Sequence, residues 1–158
     1  MTLEKAVSLR KSGKLKESNE ILVNLAAQHP NDAMVQYQCA WSYDVLEREE
    51  EAIYYYERAI ELGLPLEDLK EAYLGLGSTY RTIGEFKKSK ELLEKAIGQF
   101  DDNALKVFYA MTLYNLNQSE EALEILLKLI AETSNDESIQ QYAKAIGFYA
   151  DKLDKVFK

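Results

Sequence analysis

The 158-residue chain carries 19 Lys and Arg against 27 Asp and Glu, a formal charge of -8 with a pI near 4.8. That balance argues against a nucleic-acid partner, whose phosphates are gripped by clustered cations. Hydrophobic residues at 47% point to a folded protein rather than a disordered one, and 2 prolines and 7 glycines are too few for the tight turns of a sandwich or barrel, so the composition leans to all-α.

From the N-terminus, Met1 to Glu17 places a charge every few residues and lacks the apolar run of ~7 residues that a secretory leader needs. A first helical hairpin is expected over about residues 2–32: Gly13 closes its first helix, and His29-Pro30-Asn31-Asp32 ends the hairpin and caps the next. The second, over 33–66, reads as two amphipathic stretches, Met34 to Leu46 and Glu50 to Leu62, with apolar residues at three- and four-residue steps. The acidic run Glu47, Glu49, Glu50 and Glu51 falls at their turn, where a solvated surface is the simplest reading and a basic docking partner the minority one. Gly63 follows the second helix. A third hairpin is expected over 67–103, with Gly84 at its turn and Asp101, Asp102 and Asn103 at its end, and a fourth over 104–134.

Beyond Asn135-Asp136-Glu137 the residues Ile139, Tyr142, Ala143, Ile146, Ala150, Leu153 and Val156 fall on one stripe, which predicts a long closing helix over 136–157. It reads as a cap on the last repeat, with a dimerisation helix as the rival. No apolar run approaches the ~18 residues of a spanning helix, so no membrane insertion is expected. One cysteine, Cys39, cannot close an internal disulfide, which makes a reducing, cytoplasmic setting the default expectation.

The hairpins are copies of one unit. Leu9, Tyr43, Tyr80 and Tyr114 stand in equivalent surroundings, Leu22, Tyr56, Leu93 and Leu126 form a second track of nearly the same period, and Leu25, Ala59, Ala96 and Leu129 keep step with them. The step from the second copy to the third is longer than the others, and its extra residues fall at Gly63 to Leu69. The step from Leu93 to Leu126 is one shorter than that from Tyr80 to Tyr114, and the missing residue is assigned between Tyr114 and Ala122. Both places are turns, where changes of length cost little. No such hairpin can bury its apolar face alone, so neighbours must stack, with closest approach expected at Ala59, Gly77 and Ala96.

These residues resemble the tetratricopeptide repeat, whose pattern W-x2-L-G-x2-Y, A-x3-F and a proline recurs roughly every 34 residues. The clearest copy is Tyr73, Leu76, Gly77, Tyr80, Gly84, Phe86, Leu93 and Ala96; the next is Cys39, Ala40, Tyr43, Ala52, Tyr56 and Ala59. Fainter copies come from Ala6, Leu9, Gly13, Leu15, Leu22 and Pro30, and from Ala110, Tyr114, Ala122 and Leu126. Ser18 and Ser89 stand where the family has alanine, Glu47 where it has the turn glycine, and the motif tryptophan is absent from all four copies.

The resemblance implies a single all-α domain over 1–158, a superhelix of four hairpins and a cap, whose first helices line a concave groove for a peptide or partner protein. Carried over position by position, the groove would include Arg10, Tyr37, Trp41, Asp44, Leu74, Ser78, Arg81, Phe108, Thr112 and Asn115. Trp41, one helical turn beyond Tyr37, is either an exposed anchor or ordinary core. The Lys and Asn clamp with which some family members hold a terminal carboxylate has no counterpart at Leu3, Val7, Gln38 and Gly75.

No catalytic, cofactor or metal constellation emerges. Gly75-Leu76-Gly77 lies inside a helix without a preceding strand, His29 suits a helix end, one His and one Cys cannot make a zinc site, and Tyr54-Tyr55-Tyr56 fans around a helix as core and surface filling. The expected activity is protein binding, as a module or adaptor and not as an enzyme. The rival is a self-associating protein using its groove or closing helix, including a homodimer.

Overall fold

The computed structural model describes residues 1–158 as ten α-helices and no strands. Helices α1 (Leu3–Lys11), α2 (Leu15–Gln28), α3 (Ala33–Asp44), α4 (Glu49–Leu62) and α5 (Leu66–Thr82) belong to one compact unit, residues 1–85. A second unit, residues 86–158, holds α6 (Phe86–Phe100), α7 (Asn103–Asn115), α8 (Ser119–Thr133), α9 (Glu137–Gln141) and α10 (Ala143–Tyr149).

In the first unit each helix packs on the next, and α3 also touches α1 and α5. The odd-numbered helices are therefore neighbours, as successive hairpins require if each is to cover the apolar stripe of the one before. Ala6, Leu22, Ala26, Val35 and Cys39 are buried together with Ile21, and Leu3, Leu9, Val23, Leu25, Tyr43 and Tyr55 pack around them. Fully burying a side chain such as Leu22 stabilises by roughly 2 kcal/mol. In the second unit α6 packs on α7, α7 on α8, and α8 on α9 and α10, with Leu93, Ala96, Leu105, Leu113 and Ala122 buried.

One turn is built four times. Gly13, Glu47, Gly84 and Asn117 follow first helices with φ of 85°, 58°, 85° and 62°. Behind each of them the next residue donates its N–H to the same carbonyl of the helix end: Lys14 to Leu9 (2.9 Å), Arg48 to Tyr43 (3.0 Å), Glu85 to Tyr80 (2.8 Å) and Gln118 to Leu113 (2.9 Å). This left-handed cap satisfies carbonyls that the helix leaves open, and only glycine enters it without steric cost. We expect Glu47→Gly to raise unfolding free energy by about 0.5–1 kcal/mol, because a left-handed non-glycine residue costs about 1–2 kcal/mol and the added chain entropy offsets part of the gain. Denaturant midpoints of the two proteins measure it; an unchanged or lower midpoint contradicts it.

These bonds correct the register of the fourth hairpin. The acceptor equivalent to Leu9, Tyr43 and Tyr80 is Leu113 and not Tyr114. Leu113 is fully buried, whereas Tyr114 is 66% exposed. The missing residue therefore lies in the short link between α6 and α7, at Asp101 and Asp102, not between Tyr114 and Ala122.

Helix starts follow the expected capping chemistry. The carboxylates of Asp32 and Asp102 accept the N–H groups of Val35 and Leu105, each at 3.1 Å, and Asp136 accepts those of Ser138 and Ile139 at 3.1 Å. The serines at the family's alanine positions are also accounted for. Ser18 donates to the Ala6 carbonyl at 2.6 Å, and Ser89 shares a hydrogen bond with Thr112 at 2.9 Å, both without exposure to solvent.

The closing helix predicted over 136–157 is not continuous. At Tyr142 the backbone leaves helical geometry (φ −104°, ψ 9°), dividing α9 from α10, and beyond Tyr149 the chain runs on in turns. Ala150 is buried and Ile146 half-buried, but Tyr142, Leu153 and Val156 of the same stripe are exposed. A straight helix would hold all of that stripe on one line.

Candidate functional site

The sequence-derived positions of the first unit are drawn from helices α1, α3 and α5. Trp41 is 41% exposed, and it is held on both sides within the unit. The Arg10 guanidinium lies 3.9 Å from its ring centroid, and the Tyr37 ring 6.1 Å away at a tilt of 38°. Arg10 in turn donates from Nη2 to Gln38 Oε1 at 2.6 Å and from Nη1 to the Gln38 carbonyl at 3.5 Å. Burial lowers the Arg10 pKa, an effect opposed by the nearby phenols of Tyr37 and Tyr56.

Tyr37 is buried and forms the centre of this cluster, with the Tyr56 ring 6.3 Å on its other side. Its phenol is pushed up to about 12, first by burial and then by the carboxylates of Glu71 and Asp68. The Tyr56 hydroxyl donates to Asp44 Oδ2 at 2.9 Å; burial raises the Asp44 carboxyl, and this hydrogen bond opposes the rise. Leu74, Ser78 and Arg81 stand on α5, all half-buried.

Tyr56 occupies the leucine track of Leu22, Leu93 and Leu126, and room for its longer side chain comes from Gly75. A Cβ placed on Gly75 would lie 2.6 Å from both Cζ and Oη of Tyr56. The equivalent positions in the other repeats are Glu4, Gln38 and Phe108. Closest approach in the first unit thus includes Gly75, where the sequence alone shows only a failed phosphate loop and an absent clamp position.

In the second unit the corrected register moves the expected residues by one. The tyrosine column ending at Tyr114 pairs Phe108, Thr112 and Asn115 with Leu74, Ser78 and Arg81; the turn geometry shortens that step by one, which selects Val107, Met111 and Tyr114 instead. Burial agrees: Thr112 is wholly buried, donating to the Phe108 carbonyl at 3.1 Å besides its bond to Ser89, while Met111 and Tyr114 are exposed. Thr112 is a packing residue and cannot line a groove. It continues a row of buried hydroxyls with Ser42 and Thr79, each bonded to a carbonyl three or four residues back. The shorter interval from Leu93 to Leu126 is the signal in the sequence for the right register.

Neither of the remaining sequence features assembles a reactive centre. Cys39 is buried, and burial pushes its thiol up to about 12, which leaves no thiolate for chemistry near neutrality. No group of three or more His, Cys, Asp or Glu side chains is arranged to hold a metal ion, and no helix is long and apolar enough to cross a membrane.

Comparison with known proteins gives the same architecture. No curated protein matches the chain by sequence. Among solved structures, a Podosopora anserina chain of nearly identical TPR-like repeats assigned to kinesin light chain superposes with a TM-score of 0.72 at 17% identity, covering 96% of this chain and 84% of that one. A double mutant of MamA RS-1 gives 0.71 at 14% identity over 96% and 93% of the two chains. YrrB, described as a TPR protein with an unusual peptide-binding site, gives 0.65 at 17% identity over 98% and 90%. At these identities the likeness is one of fold. The family model described as Tetratrico peptide repeat matches residues 33–153, and with four copies of one left-handed turn between successive helices, this chain belongs to the tetratricopeptide repeat family.

Proposed function

We propose that this chain is a non-catalytic protein-binding module that holds a segment of another polypeptide against the row Arg10, Trp41, Asp44, Leu74, Ser78 and Arg81, with Tyr37 buried beneath it as support. The observation that carries the reading is Trp41: a large apolar ring left 41% exposed yet fixed between a guanidinium and a tyrosine. Tryptophan, tyrosine and arginine are the residues most often found to dominate binding energy, and a ring ordered before the partner arrives loses little entropy on binding. The peptide-binding site of the similarly folded YrrB supports the same assignment. The acidic composition speaks against nucleic acid, and the single buried thiol is compatible with a reducing, cytoplasmic setting.

Trp41→Ala is expected to leave the far-UV circular dichroism unchanged and to weaken partner capture by at least about thirtyfold, the loss of about 2 kcal/mol typical of a central anchor. Undiminished capture by the variant would remove Trp41 from the interface.

A second reading, self-association through the C-terminal segment, is favoured by one observation. Phe148, Tyr149 and Phe157 form an exposed ring cluster with centroids 5.1, 6.2 and 5.8 Å apart, edged by Lys152 over Phe148 and Lys155 over Phe157. On this reading light scattering gives twice the 18.1 kDa chain mass for the parent, and the double change Phe148→Ser, Phe157→Ser restores the single mass. A monomeric parent ends it.

A further inference from the structure

We propose that the row around Trp41 takes a basic segment of the partner, whose Lys and Arg side chains pass over the Trp41 ring toward the carboxylates of Asp44, Asp68 and Glu71. The inference rests on the reading of this row as the peptide-binding face and adds the chemical class of its occupant.

Charge is distributed to suit such a partner. Residues 1–85 hold nine Lys and Arg against fifteen Asp and Glu, so this unit carries -6 of the chain's -8. Three of those carboxylates lie around the Tyr37 and Tyr56 pair, next to which Trp41 stands. Asp44 is bonded to Tyr56, whose ring adjoins that of Tyr37, and Glu71 and Asp68 lie near enough to act on the Tyr37 phenol. None of the three stands in a salt bridge within the chain. Arg10 also acts on Tyr37, yet three carboxylates outweigh its one charge, so the exposed Trp41 ring in this surround is complementary to a cation through the ring quadrupole and through the long-range field.

Arg10 supports the same occupant. Its guanidinium on the Trp41 ring demonstrates within the protein the contact that a partner's arginine would make with the exposed remainder of that ring. It is also poorly placed to act as a receiver for acidic ligands, since one face is stacked and two of its N–H groups are already given to the side chain and backbone oxygens of Gln38.

Trp41 is the only tryptophan among eleven tyrosines, so indole emission excited to the red of the tyrosine band reports on this row. The probes are three ten-residue peptides of identical Leu and Ser content whose remaining positions are Arg, Gln or Glu. The Arg peptide is expected to give a saturable change in emission and to bind at least about tenfold more tightly than the Gln peptide, with the Glu peptide weakest. Raising salt from about 50 to about 500 mM should weaken the Arg peptide by about tenfold, a readout that needs no variant. Asp68→Asn combined with Glu71→Gln should weaken it about tenfold, whereas Glu17→Gln combined with Glu20→Gln, the same charge change on α2, should leave it within about twofold. Preference for the Gln or Glu peptide, or equal losses in the two double variants, overturns the basic specificity and leaves the row a peptide face. No emission change with any of the three peptides overturns both.

Discussion

Ala96→Arg is expected to unfold the second unit or to lower its stability by more than about 4 kcal/mol, because it combines overpacking with a buried unpaired charge. Ala96 has no exposed surface, and its helix α6 packs on α7. An arginine there must either push the two helices apart, exposing Leu93, Leu105 and Leu113, or hold its guanidinium without water or a carboxylate. Ala96→Ser separates size from charge. Ser18 and Ser89 are already tolerated at buried helix positions where their hydroxyls reach a carbonyl or another hydroxyl, so the serine variant should cost only about 1 kcal/mol. Thermal melts followed by circular dichroism read both. A melting temperature for Ala96→Arg within a few degrees of the parent would mean that α6 does not meet α7 through this residue.

Gly75→Ala is the second large effect, and a single methyl group causes it. The new Cβ would sit 2.6 Å from the end of the Tyr56 ring, a distance that forces something to move. The ring is rigid, buried, and tied at its hydroxyl to Asp44, so it cannot swing aside without giving up that bond and its contact with Tyr37. Overpacking of this kind costs about 1–3 kcal/mol. Its cause can be isolated, because the other repeats carry leucine in place of Tyr56. Tyr56→Leu removes the atoms that the methyl group would strike, so adding it to Gly75→Ala should recover much of the loss, and the two changes together should cost less than the sum of each alone. Strict additivity would show that Gly75 is required for some reason other than the tyrosine.

The pairing of Tyr56 with Gly75 marks the boundary between what the residues disclose in order and what they disclose only in space. Tyr56 is legible as a member of the leucine track, and Gly75 as a glycine within a helix, each from local spacing. That one compensates the other follows only when α4 is laid against α5. Register in the fourth repeat is a similar case. Tyr114 continues the tyrosine column on paper, and Leu113 differs from it by one residue, yet one residue turns a helix by about 100° and exchanges a buried position for an exposed one. The two candidates are separated by which carbonyl Gln118 binds.

By itself the sequence determined the all-α class, the helices of the repeats, the turns at Gly13, Glu47 and Gly84, and the caps at Asp32, Asp102 and Asp136, because each of these depends on periodicity or on backbone chemistry within a few residues. It also brought Arg10, Tyr37 and Trp41 into one expected row. Only the tertiary structure decided that Arg10 lies on the Trp41 ring, that Thr112 is packed inside while Met111 and Tyr114 face out, and that the closing helix breaks at Tyr142. The physical reason is that local spacing sets which way a side chain leaves its own helix, while what it meets there depends on a neighbour distant in the chain, where a shift of a single residue reverses inside and outside.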